Sequence, residues 1–210
     1  MDIAKNDDIL EKSRRVTLAA WRKRKWYVKI LGAVLRPFAT RHRVPSRGYR
    51  LDLPRAGRFD PAKARALNVP VPAWKLLQRG QSIPLENGAV VAPADVLGPA
   101  RRGLRFVFSG DTAPCPALEQ AAQNADLFLC DATYPDNEQE AQAKQWGHST
   151  FAQGAAIAKK ADVRRFWLMH YSPMILDPEA ALPNAQAVFP AAECGFDGKS
   201  ITLQYEEVQP

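Results

Sequence analysis

Three short apolar runs in the second half of the chain constrain its fold most strongly: Leu104 to Phe108, Asp126 to Cys130 and Phe166 to Met169. Each is too short for an independent helix and rich in Val, Leu and Phe, which reads as a buried strand. Helical patterns separate and flank them: Pro116 to about Asn124, Glu138 to Trp146, and Phe151 to Lys160. Strands alternating with helices specify a layered α/β domain. Ser149 is the expected N-cap of the helix Phe151 to Lys160. Further strands are expected over Ala33 to Thr40, Gly48 to Leu53 and Ile201 to Glu206. A helical stretch from Pro178 to Val188 holds Pro183, which predicts a kink or two separate pieces.

The first third of the chain differs in texture. The whole chain of 210 residues carries a net charge of +7, but residues 1 to 50 hold 14 Lys and Arg against four acids, a net +10, leaving −3 for the rest. Residues 5 to 29 read as a basic helix, and residues 1 to 30 as a separate N-terminal segment ahead of a domain over 31 to 210. A concentrated basic block suits a polyanion such as RNA, and a solvated tail explains the same charge. Residues 54 to 99 are rich in Pro and Gly and read as an excursion from the body. It holds two short helices, Pro61 to Leu67 and Ala73 to Arg79, with an extended Asn68 to Pro72 between them.

No run approaches the roughly 18 to 20 apolar residues of a bilayer span, and no signal-peptide pattern follows the basic start. Cys115, Cys130 and Cys194 are odd in number and far apart, which predicts free thiols in a reducing cytoplasm and argues against a thiolate zinc site.

The polar residues that end the strands carry the chemistry. Asp111, Asp131 and His170 each follow an apolar strand at its C-terminal end, and His42 follows Ala33 to Thr40. In α/β sheets this is the edge where active-site residues gather. Carboxylate and imidazole together suit Zn²⁺ or Mn²⁺. Taken singly, an Asp after a strand is usually a turn former and a lone His a satisfied structural residue. The chain has three histidines, His42, His148 and His170, and each lies in a short polar motif at the end of an element. His148 precedes a helix, whose dipole is expected to lower its pKa. Asp131 could orient its ring for proton transfer, and helix capping is the alternative role.

Five motifs occur in the order and spacing of ribonuclease Z: Arg41-His-Arg-Val-Pro-Ser46 with Gly48-Tyr-Arg50, Phe108-Ser-Gly-Asp-Thr112, Cys130-Asp-Ala-Thr-Tyr134, Gly147-His-Ser-Thr150 and Met169-His-Tyr-Ser-Pro173. Phe59-Asp-Pro-Ala-Lys63, Trp74-Lys-Leu-Leu-Gln-Arg-Gly80 and Val96-Leu-Gly-Pro99 are similar to the same family. The chain thus resembles ribonuclease Z, the tRNA 3′-endonuclease of the metallo-β-lactamase fold, over roughly residues 33 to 207.

The resemblance implies a site. His42 and His170 match histidine ligands of two metal ions, Asp111 the carboxylate that bridges them, and His148 the histidine that helps protonate the leaving oxygen. Asp131 stands where the family usually has Glu, partnering that histidine. Trp74, Lys75 and Arg79 fall in the region of the flexible arm that grips tRNA. Two zinc ions, with Mn²⁺ possible, and precursor tRNA are the implied cofactor and substrate.

The family's HxHxDH signature is missing, since all three histidines are assigned elsewhere. The expected fold is therefore an incomplete αββα sandwich, mainly its second half. The chain is expected to be N-terminally incomplete or divergent, to bind metal weakly and to cleave poorly alone. Homodimerisation would cover the sheet face left open. The alternatives are a non-catalytic RNA-binding or subunit-like remnant, or another phosphodiesterase or hydrolase of this fold.

Overall fold

A computed structural model of the chain describes residues 28–30 and 33–206. Most of the expected basic helix lies outside these residues; its last positions, Val28–Ile30, form strand β1 instead. The described strands are β2 (Ala33–Ala39), β3 (Arg47–Arg55), β4 (Ile83–Pro84), β5 (Val90–Val91), β6 (Arg101–Phe108), β7 (Leu127–Asp131), β8 (Phe166–Met169) and β9 (Ala192–Cys194). The helices are α1 (Pro61–Ala66), α2 (Trp74–Gln78), α3 (Pro93–Val96), α4 (Pro116–Ala122), α5 (Glu140–Trp146), α6 (Phe151–Lys160) and α7 (Pro178–Gln186).

Seven strands make one sheet in the order β1-β2-β3-β6-β7-β8-β9. Pairing is antiparallel from β1 to β6 and parallel from β6 to β9. The parallel half follows from the connections, each long enough for a crossover helix: α4 between β6 and β7, α5 and α6 between β7 and β8, and α7 between β8 and β9. Those helices bury one sheet face. Val107, Phe128, Cys130, Phe166 and Leu168 meet Leu118, Phe151, Ala155 and Ala158 in the main core.

The opposite face is apolar as well. Register places Leu35, Leu51, Phe106 and Leu127 in one row, and Phe108, Leu129 and Trp167 in the next. Leu35, Leu51, Phe106, Phe108 and Leu129 are only half-buried there.

The segment between β3 and β6 carries a second buried cluster. Ala64, Val69, Leu77, Ile83, Val91 and Val96 are buried together. Asp60 caps α1 by accepting from the Ala62 and Lys63 amides. The stretch expected to be extended is not so throughout: Asn68 takes a left-handed φ of 55° and Val71–Ala73 is a 3-10 turn.

Other expectations are corrected. The cap of α6 is Thr150, not Ser149; its hydroxyl accepts from the Gln153 amide while Gln153 reaches back to the Thr150 amide. α7 is one helix through Pro183 rather than two pieces; Pro183 lacks the N–H that would donate to the Glu179 carbonyl, which leaves a kink as the expected consequence. Residues 201–206 do not form a strand; Glu206 is held by Arg164 and Arg55 instead. The last strand is β9, a three-residue segment too short for a periodic pattern.

Asp52 on β3 anchors the antiparallel half. Its carboxylate accepts from Arg50 at 2.9 Å and Arg105 at 2.8 Å, and also pairs with Arg36. Burial pushes its pKa up, but the two guanidinium groups of Arg50 and Arg105 outweigh it and hold the carboxyl below the ordinary 3.8. A depressed carboxylate pKa adds stability above the unfolded value and loses it as pH falls through the folded one. Wild type should therefore lose stability below about pH 4 more steeply than Asp52→Asn, as read by urea midpoints from pH 5 to 2.

Candidate active site

β6, β7 and β8 are parallel, and β2 runs in the same direction because two antiparallel pairings separate it from β6. Their C-terminal ends therefore share one edge of the sheet, and all five motifs meet there. An isolated bridge joins Arg41 to Ala113, with the Ala113 amide donating to the Arg41 carbonyl at 2.8 Å. The Arg41 amide donates to the Thr112 hydroxyl at 3.0 Å. The Ser149 hydroxyl donates to the Thr112 carbonyl at 2.7 Å, and Tyr134 bridges to Thr150.

Two glycines permit the convergence. Gly147 ends α5 with φ 81°, and a Cβ there would lie 2.8 Å from the His42 Cα. Gly110 has φ 62°, and a Cβ there would meet the Arg47 carbonyl at 2.5 Å. Gly147→Ala is expected to cost at least about 2 kcal/mol, from left-handed strain plus a backbone clash. A fall of about 4–8 °C in melting temperature checks this, at roughly 2–4 °C per kcal/mol for a chain of this size.

Asp131 is fully buried at the end of β7. Its Oδ2 accepts from the Thr112 amide at 3.0 Å and from His148 Nδ1 at 2.7 Å. Its Oδ1 accepts from the Thr133 amide at 3.1 Å, the Thr133 hydroxyl at 2.9 Å and the Ser149 amide at 3.2 Å. Donors therefore occupy both oxygens. Asp131, His148 and His170 each offer a ligand atom within 4.8 Å of one another, but Asp131 has no lone pair left for a metal ion. Its contact with Nδ1 fixes the position of the His148 ring. Thr112, Thr133 and Ser149, which complete this cradle, escaped the sequence reading; their only signal was adjacency to the motif residues.

The Asp131 hydrogen bond raises the His148 pKa from its ordinary 6.5; burial opposes this, and the Asp131 and Asp111 charges reinforce it. The expected lowering by the helix dipole is overturned, because a carboxylate at 2.7 Å outweighs the partial charge of a helix end.

His170 follows β8 with φ 62°, an uncommon conformation for a branched aromatic side chain and a form of strain found at functional sites. Its Nε2 lies 3.3 Å from Asp111 Oδ1. That is long for a hydrogen bond. It matches the ligand–ligand spacing of a tetrahedral ion with arms of about 2.0–2.1 Å. His42 lies with its ring centroid 4.9 Å from that of His148, and His148 lies 5.2 Å from His170. The Val44 amide donates to His42 Nδ1 at a weak 3.3 Å. Ligation through Nε2 puts the proton on Nδ1, so it would break that contact.

A β-lactamase superfamily domain model matches residues 68–171. The chain is 35% identical over 181 residues to ribonuclease Z of Lachnospira eligens, covering 86% of this chain and 59% of that protein. It is 43% identical over 166 residues to ribonuclease Z of Myxococcus xanthus, covering 77% and 54%. The chain is similar to ribonuclease Z over most of its own length. It spans somewhat more than half the length of these relatives. A solved structure, the metallo-β-lactamase fold protein YhfI from Bacillus subtilis, aligns with a TM-score of 0.50 at 13% identity, covering 80% of this chain and 48% of that one, and so shows the same fold.

Metallo-β-lactamase folds bind divalent metal ions, and the residues of this chain fit one such ion in part. Asp111 and His170 stand at ligand spacing, half-exposed at the open edge, with His42 beyond His148. Asp111 and His170 are therefore two ligands brought together, short of the three of an open site, and His42 is not gathered with them. The second buried cluster lies apart from these motifs in sequence, between β3 and β6. Trp74 packs against it: the indole N–H donates to the Val69 carbonyl at 3.1 Å and the ring packs on Phe59. Lys75 and Arg79 are exposed beside it.

Proposed function

We propose that the chain carries one side of a two-metal centre that hydrolyses a phosphodiester bond in the 3′ trailer of precursor tRNA. The observation that carries this reading is the Asp131–His148 pair standing beside the Asp111–His170 pair on one sheet edge. Asp111 and His170 would hold zinc, or Mn²⁺ in its place, and His42 would offer one ligand toward the second ion of the centre. Bound there, a divalent ion lowers the pKa of a coordinated water and neutralises charge on the phosphate.

The chain's own residues do the rest. Asp131 fixes the Nδ1–H of His148, which leaves Nε2 to face the substrate. The Asp131 hydrogen bond favours the protonated ring, and Nε2–H would protonate the leaving oxygen. His148→Ala should lower precursor-tRNA cleavage by about 10²–10⁴-fold at saturating Mn²⁺. Cleavage unchanged in that variant would remove His148 from the mechanism.

Lys75 and Arg79 on the arm offer phosphate contacts, while Trp74 holds the arm together and is not itself a stacking platform. The half-buried apolar sheet face suits a homodimer, in which a second copy covers it. Free Cys115, Cys130 and Cys194 suit the reducing cytoplasm where tRNA is processed. The small ligand count favours a second reading, in which the chain binds RNA or a partner subunit and does not cleave alone. Under that reading wild type and His148→Ala would be equally inactive.

A further inference from the structure

We infer that Arg43 and Trp146 form a nucleobase-stacking site at the rim of the centre, taking the base of the nucleotide that carries the leaving oxygen. This rests on the phosphodiesterase reading above. The Arg43 guanidinium carbon lies 4.2 Å from the centroid of the Trp146 ring. Trp146 is 42% exposed and belongs to neither buried cluster. Trp74 and Trp167, by contrast, sit against the interior.

The pair is held in place on both sides. Arg43 follows Arg41, which is bridged to Ala113, and Trp146 precedes Gly147, whose backbone packs against the His42 backbone. Together with His42, Val44 and His148 they line a cavity of about 450 Å³. That size lies within the range of small-ligand clefts. A planar indole and a planar guanidinium are the two surfaces on which unpaired RNA bases stack.

Chemistry sets which base. His148 delivers its proton to the leaving oxygen, so the nucleoside on that oxygen lies on the His148 side of the phosphate. His42 and His148 line this cavity, whereas Asp111 and His170 are not among its lining residues.

The test is binding of a short fluorescein-labelled single-stranded oligoribonucleotide, in EDTA, to the full chain and its variants. Trp146→Ala and Trp146→Leu should each weaken binding by about 5- to 100-fold without changing the salt dependence. Arg43→Lys should also weaken it, since an ammonium keeps the charge but not the stacking plane. On an oligonucleotide with abasic residues, Trp146→Ala should cost nothing further. Wild-type affinity in both Trp146 variants overturns the site, as does an equal Trp146→Ala loss on the abasic strand. Cleavage of precursor tRNA with Mn²⁺ separates the two readings. No cleavage by wild type with the stacking losses intact overturns the hydrolytic reading and keeps the stacking site. Cleavage with no stacking loss overturns the stacking site alone.

Discussion

Asp131→Ala is expected to lower the unfolding free energy by about 3–5 kcal/mol, because it leaves buried donors without an acceptor. Thr112, Thr133 and Ser149 aim their amides at this carboxylate, and the Thr133 hydroxyl and His148 Nδ1 add to them. The change is a large fraction of the roughly 5–15 kcal/mol that holds a domain together. It should appear as a fall of about 6–20 °C in melting temperature. Asp131→Asn should be nearly as costly. Whichever way the amide is turned, its NH₂ faces groups that donate. A carboxylate that merely terminated a strand would tolerate asparagine.

The same substitution removes the group that favours the protonated His148 ring. In Asp131→Asn the His148 pKa should fall below its wild-type value, as followed by NMR of the imidazole protons. The pair stabilises the wild-type fold below about pH 6.5, the unfolded value, and that contribution fades as pH rises through the raised folded value. The stability difference between wild type and Asp131→Asn should therefore narrow above neutrality.

His170→Ala is expected to remove metal-dependent cleavage, with a loss of at least about 100-fold. Outer-sphere partners of a metal already cost about 10–100-fold, and a ligand costs more. His170→Gly should lose cleavage equally but should not destabilise the fold, because φ 62° is a conformation in which glycine is unstrained. Lost function with retained stability is the mark of a residue kept for chemistry. Parallel losses of both in His170→Gly would make it a packing residue.

Much of this was legible in the sequence because the signals were local. The apolar runs became β6, β7 and β8 within a few residues, and the polar residues that end them reached one edge because parallel strands align their C-termini. Ordered motifs carried the resemblance. What stayed hidden depended on tertiary partners. Ser149 has the composition of a cap, but its hydroxyl is drawn to the Thr112 carbonyl and its amide to Asp131, so Thr150 caps the helix. The alternation of Ile201 to Glu206 gave way to ion pairing by Glu206, while β9 was too short to read. His148 was placed beside a helix end correctly, and its pKa moved the other way because a carboxylate 17 residues earlier touches the ring. Trp74 falls in the arm-like region by resemblance, and the local pattern gives no sign that its indole N–H bonds the Val69 carbonyl.

Zinc titration into metal-free protein, followed by equilibrium dialysis and elemental analysis, bears most directly on the centre itself. One weakly held ion per chain is expected, lost in Asp111→Ala and in His170→Ala and retained in Asp52→Asn. Two tightly held ions per chain, or binding unchanged in both ligand variants, would contradict a metal centre of which this chain carries one side.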